Sequence, residues 1–112
     1  MTLFRRFCFE ATHELGDNVP SGHAYGTLHG HSFAVEIEAS DGEPALLATA
    51  AEALHGRLDH QLLNNIPGLA RPTLENIARW IWTQTLPDLP GLRTVTVRRE
   101  SCGEGCRYAG SR

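Results

Sequence analysis

Six histidines are spread over the 112 residues, and three of them fall where strand geometry could gather them. His29-Gly30-His31 places two imidazoles at i and i+2. Successive side chains of a strand alternate between faces, so both would project to one side. His13 closes an earlier alternating segment, at what would be the matching end of a neighbouring strand. Three neutral imidazoles with an open fourth position are the ligand set of a catalytic zinc site. A bare His-x-His is more often a pair of satisfied, half-buried histidines, so the assignment turns on whether His13 joins them.

The elements that must position these residues can be read from periodicity. From Leu3 to His13 the odd positions are Leu, Arg, Phe, Phe, Ala and His, an imperfect strand alternation interrupted by Phe4 and Cys8. A cleaner alternation starts at His29, with His31, Phe33, Val35 and Ile37 on one side and Ser32, Glu36 and Glu38 on the other. Residues 14–28 between them are rich in Gly, Pro, Asn and Ser, and a loop that long in a small chain is usually functional. Leu47, Ala50 or Ala51, Leu54 and Leu58 recur at helical spacing, with Ser40 or Asp41 available to start the turn. In PTLENIARWIW, Thr73 is placed as an N-cap after Pro72, with Leu74, Ile77, Trp80 and Ile81 as the buried stripe and Pro87 as the stop. TVTVRRE alternates again, Val95 and Val97 facing one way, and runs into a Gly-rich end. The order strand, strand, helix, helix, strand predicts an α+β fold, an antiparallel sheet with two helices on one face.

Composition narrows the function classes. One domain spanning 1–112, 41% apolar and 21% charged, is ordinary for a globular protein. A net charge of −3 gives no footing for nucleic acid, and no apolar run reaches the roughly 18 residues of a membrane span. MTLFRRF lacks the apolar core of an export signal, and three sparse cysteines make a poor disulfide framework. The expectation is a cytoplasmic protein with reduced thiols. Cys102 and Cys106 are spaced one residue too widely for the common zinc hook.

The segments FCFEATHEL, GTLHGHSF, RLDHQLLNNIPGL, PTLENIARWIW and RRESCGEGCRYAG occur in that order over most of the chain. Together they resemble the 6-pyruvoyl-tetrahydropterin synthase family, and within it the bacterial 6-carboxy-tetrahydropterin synthase branch of queuosine biosynthesis. The resemblance implies a tunnelling fold, whose subunits associate through their sheets into barrels, as a trimer or hexamer with active sites between subunits. It implies Zn2+ on His13, His29 and His31. It implies a proton relay by Asp59 and His60 contributed from a neighbouring subunit, and Glu100 as the carboxylate that anchors the pterin ring and joins the relay. Thr73 and Glu75 match a motif near the substrate pocket.

The chemistry suits those roles. A carboxylate accepts two hydrogen bonds from the amino and ring N–H of a pterin edge. An Asp beside a His orients the imidazole and raises its basicity. Zinc polarises a side-chain oxygen of the substrate and stabilises the charge that develops next to it. Read alone, Asp59-His60 is as well explained by a solvated turn, Glu100 by a surface ion pair with its preceding arginines, and Thr73 by capping. Strict alternation puts Glu100 on the side away from Val95 and Val97, which calls for a bulge or for a site at an interface.

Two departures from the family pattern stand out. Tyr25 occupies the position of the family's proton-removing cysteine, where a branch making a folate precursor carries glutamate. A phenol with an ordinary pKa near 10 is a poor base at neutral pH. Between Ser40 and Leu46 about ten residues of the relatives, including a strand, are missing, which leaves SDGEPALL little room for one. The function expected is a zinc-dependent pterin-pathway lyase acting on 7,8-dihydroneopterin triphosphate or a related dihydropterin. In the branch it resembles, that reaction expels triphosphate and a two-carbon fragment to give 6-carboxy-tetrahydropterin. The alternatives are a paralogue with retro-aldol activity on a dihydropterin side chain and a non-catalytic protein that holds zinc and a pterin or purine.

Overall fold

The structure, a computed structural model, describes residues 1–13, 29–41 and 43–110, and of His29 the backbone alone. Two long strands, β1 (Thr2–His13) and β2 (His29–Ser40), pair antiparallel from Thr2↔Ser40 to His13↔His29. This register sets Ala11 opposite His31 and Phe9 opposite Phe33, so the odd-numbered residues of both strands share one face. Phe9, Ala11, His13, Phe33, Val35, Ile37 and Ala39 are buried there, while Phe4, Cys8 and Glu10 on the other face stay exposed. Phe9 and Phe33 stack with ring centroids 4.9 Å apart, a contact worth about 0.5–1.5 kcal/mol beyond the area buried.

β3 (Leu92–Arg99) pairs with β2, setting Val97 against Val35 and Val95 against Ile37. A fourth strand, β4 (Glu104–Tyr108), pairs with β3 and completes the order β1-β2-β3-β4. The glycine-rich tail does not announce that strand, because its sequence carries little apolar alternation. The turn that makes it is a 3₁₀ turn over Glu100–Cys102 closed by Gly103 at φ 66, a conformation open to glycine at no steric cost.

Both helices lie against the odd-numbered face. α1 (Pro44–Leu58) buries Leu47, Ala51, Leu54 and Leu58 over β1. It starts at Glu43 rather than at Ser40 or Asp41. Ser40 remains in the strand with its N–H bonded to the Gly91 carbonyl, Asp41 turns at φ 53, and Pro44 suits the first helical position. No strand separates Ser40 from α1 among the described residues, in keeping with the short spacing. α2 (Leu74–Thr85) packs over β3 and β4. Thr73 caps it, accepting the Asn76 N–H at 3.2 Å, and the helix ends just before Pro87. Ile77, Trp80 and Ile81 are buried as the stripe predicts, Leu74 half so, and Ala78, Trp82 and Thr85 add to the buried side.

Between the helices the chain runs along the edge of β1. The N–H of His60 donates to the Glu10 carbonyl at 2.6 Å and that of Thr12 to the Gln61 carbonyl at 3.0 Å, so residues 60–62 extend the sheet by a few bonds. Further on, Gly68 (φ 91) lies under the Trp80 indole, where a Cβ would stand 3.0 Å from the ring. The Trp80 N–H is satisfied there by the Pro67 carbonyl. Among the described residues no helix is long and apolar enough to cross a membrane.

Candidate metal and catalytic site

The strand register delivers His13 and His31 to one face at one end of the sheet. Their rings meet edge to face with centroids 4.8 Å apart, and Phe33 lies against both, at 5.9 and 6.0 Å. His13 is almost fully buried, and its Nδ1 stands 3.3 Å from the Pro72 carbonyl oxygen. A carbonyl only accepts, so Nδ1 carries a proton, which in the neutral ring makes Nε2 the acceptor nitrogen. His31 Nε2 stands 3.1 Å from Nη1 of Arg99, which only donates, so this nitrogen also presents a lone pair. Two imidazoles with Nε2 unprotonated, one held through Nδ1 by a backbone carbonyl, match the way zinc ligands are oriented. The donor set fits the metal. The third histidine of the set, His29, has its backbone opposite His13. Among the described residues no group of three metal-ligating side chains occurs, and His13 and His31 are the pair the structure places together.

Beside His13 opens a cavity of about 200 Å³, walled by His13, Phe33, Thr73, Glu75, Arg99 and Glu104 among others. Thr73 and Glu75 are therefore brought to His13, Thr73 while also serving as the cap of α2. Arg99 and Glu104 were not singled out in the sequence. The signal existed: positions 95, 97 and 99 alternate onto one side, so the argument that turns Glu100 away brings Arg99 in. Arg99 is paired with Glu104 across the β3–β4 ladder.

Asp59 and His60 form a second, separate constellation. Asp59 Oδ2 accepts from His60 Nδ1 at 2.7 Å, which in the neutral ring makes His60 Nε2 the acceptor nitrogen. Asp59 Oδ1 accepts the Glu10 N–H at 2.9 Å. That backbone bond is the main reason the Asp59 carboxyl sits below the usual carboxylate range. Desolvation opposes it, and the hydrogen bond and charge of His60, with the charge of His55, reinforce it. His60 adopts φ 58, and its side chain is 78% exposed. It borders a cavity of about 380 Å³ with Glu10, Thr12, Gly30, Ser32 and Gln61, and also with Ala11 and His31. Glu10, Thr12, Gly30 and Ser32 are even-numbered, so this hollow lies on the helix-free side of the sheet. Ser32 donates to the Glu10 carboxylate at 2.7 Å.

The structure does not bring Glu100 to either group. It opens the 3₁₀ turn after β3, is exposed, and borders neither cavity. Tyr25 lies outside the described residues, as do residues 14–28 as a whole. All three cysteines are free thiols.

Comparison with known proteins gives a consistent result. The model of the family described as 6-pyruvoyl tetrahydropterin synthase matches residues 2–111. A 6-carboxy-5,6,7,8-tetrahydropterin synthase of Synechocystis sp. is 31% identical over 123 residues, covering 95% of this chain and 91% of the relative. A dihydroneopterin monophosphate aldolase of Pyrococcus furiosus is 36% identical over 88 residues, covering 72% of this chain and 74% of the relative. Among solved structures, a 6-pyruvoyl tetrahydropterin synthase of Caenorhabditis elegans superposes with a TM-score of 0.84 at 18% identity, covering 99% of this chain and 96% of that one.

Proposed function

The chain belongs to the 6-pyruvoyl tetrahydropterin synthase family, and from that premise we propose that it is a zinc-dependent lyase of the pterin pathway. Its substrate is 7,8-dihydroneopterin triphosphate or a related dihydropterin, and its place that of the 6-carboxy-tetrahydropterin synthases of queuosine biosynthesis. The observation that carries the reading is that His13 and His31 stand together on one face with ring centroids 4.8 Å apart, His13 bordering a cavity. With His29 they would hold the ion. Bound there, zinc would polarise an oxygen of the substrate side chain.

The chain's own residues supply the rest. Asp59 fixes the His60 ring through Nδ1, so His60 moves its proton at Nε2. The exposure of His60, on the far side of the sheet from His13, suits a relay offered to the site of a neighbouring copy. The exposed position of Glu100 at a turn suits the same arrangement, with the carboxylate gripping a pterin edge across an interface. β4 and the part of β1 that residues 60–62 leave uncovered are the edges of the sheet, and pairing between copies there would close a barrel of three subunits or two stacked rings of three. Light scattering showing a stable monomer at micromolar concentration would contradict that assembly. Three free thiols support a cytoplasmic location.

Tyr25 stands where the bond-breaking base belongs. With dihydroneopterin triphosphate as substrate, wild-type turnover should be slow and Tyr25→Cys should raise it. A thiol of pKa about 8.5, lowered near a metal, has a usable thiolate fraction, and general bases contribute about 10²–10⁴-fold. Ordinary wild-type rates unaffected by Tyr25→Phe would contradict this role. The 36% identity to a dihydroneopterin monophosphate aldolase favours one second reading, retro-aldol cleavage with Tyr25 as its own base. In that case Tyr25→Phe abolishes a native cleavage that Tyr25→Cys does not improve. Tight pterin binding with no turnover in any form would point to a binding protein.

A further inference from the structure

Arg99 occupies an unusual place for a cation. Its side chain is only 12% exposed, and its Nη1 donates to Nε2 of His31, the lone pair that the zinc reading gives to the ion. Nη2 is held by the Glu104 carboxylate. Nε is buried and has no hydrogen-bond partner among the described residues. The guanidinium is therefore fixed at one end, in contact with a metal ligand at the other, and unsatisfied in between. The Arg99 guanidinium and a divalent cation on the same His31 nitrogen exclude each other. The lone pair serves one at a time, and the two charges repel in a site with little water to screen them.

We infer that Arg99 is a built-in competitor for the metal position: it caps His31 while the ion is absent and must leave that nitrogen for zinc to bind. Glu104 is its tether. Anchored through Nη2, the side chain can give up His31 without losing its ion pair, and the adjoining cavity provides space and a second carboxylate, Glu75. Metal occupancy is thereby coupled to the position of a cation that borders the same cavity, and the displaced guanidinium is presented to an anionic ligand. The inference rests on the assignment of zinc to His13, His29 and His31.

The test is the zinc dissociation constant, measured by competition with a chromophoric chelator, for the full chain and for Arg99→Met, Arg99→Lys, Glu104→Gln and the double variant Arg99→Met/Glu104→Gln. Arg99→Met should bind zinc about tenfold more tightly, the order carried by one charge-assisted hydrogen bond. Glu104→Gln should weaken zinc in the wild type and have no effect in the Arg99→Met background. Arg99→Lys keeps the charge and should stay near the wild type, which covers the case where Arg99→Met fails to fold. In the wild type, the guanidinium nitrogen resonances of Arg99 should shift as zinc is added. Equal or weaker zinc binding by Arg99→Met, or guanidinium resonances that do not move on zinc saturation, would overturn the competition while leaving the zinc site standing. Failure of every form, wild type included, to bind zinc would overturn both.

Discussion

The two constellations at the histidine end of the sheet differ in how much of their chemistry is preset. On the helix-covered face, His13 is buried, its tautomer is dictated by the Pro72 carbonyl, and Phe33 packs against it and His31. On the helix-free side, His60 is mostly exposed and is oriented by a single carboxylate neighbour. The first is a finished half-site, whose geometry follows from core packing. The second is oriented but open. Under the proposed function, burial would separate a residue that holds a metal rigidly from one that meets a substrate and exchanges protons.

The comparison can be broken most forcefully at Phe33. Phe33→Ala removes the ring that stacks on Phe9 and packs against both histidines, and should cost about 3–5 kcal/mol in urea unfolding. A cost below about 1 kcal/mol would mean that the buried side is not organised around that ring.

The exposed side should respond differently. Asp59→Asn should lower turnover by at least about 10²-fold, because the His60 tautomer is no longer enforced. Its effect on stability should depend on pH. The folded protein holds Asp59 below its ordinary value, so the contribution is present above that value and lost as pH falls through the folded one. The stability gap to Asp59→Asn should therefore be present above about pH 5 and narrow progressively as pH falls below about 4. A gap that persists at lower pH would contradict the Glu10–Asp59 bond as its source.

Smaller effects sharpen the contrast. Thr73→Ala removes the cap of α2 and should cost about 1 kcal/mol, seen as a fall in Tm. It should also weaken zinc binding, since Thr73 follows the Pro72 carbonyl that orients His13. An unchanged zinc affinity would separate the helix start from the ligand. On the helix-free side Ser32→Ala should change stability by less than about 0.5 kcal/mol, because its bond to Glu10 is exposed. A larger loss would show that side to be as rigid as the other.

Legibility in the sequence followed the same division. Alternation was enough to align His13 with His29 and His31, because a two-residue period over long strands leaves one register that buries Phe9, Phe33, Val35 and Ile37 together. The cap at Thr73 was equally plain. The start of α1 was misplaced because Ser40 and Asp41 are good caps by type, while tertiary pairing keeps Ser40 in β2. β4 was missed because its residues alternate weakly and its burial depends on α2. Arg99 and Glu104 escaped notice for a related reason: their pairing crosses a ladder whose second strand was not foreseen. The roles of Asp59, His60 and Glu100 came from resemblance rather than pattern. Nothing in their local sequence distinguishes a relay from a polar turn, and Tyr25 lies outside the described residues.

The most direct measurement of the central claim is the zinc content of purified wild-type protein, His31→Ala and His55→Ala, determined by elemental analysis alongside chain concentration. His55 serves as the control because it sits on α1, near Asp59 rather than His13. The account predicts one zinc per chain in the wild type and in His55→Ala, and loss of stoichiometric zinc in His31→Ala with the fold retained. A wild type without a stoichiometric transition metal, or a His31→Ala variant that keeps its zinc, would contradict it.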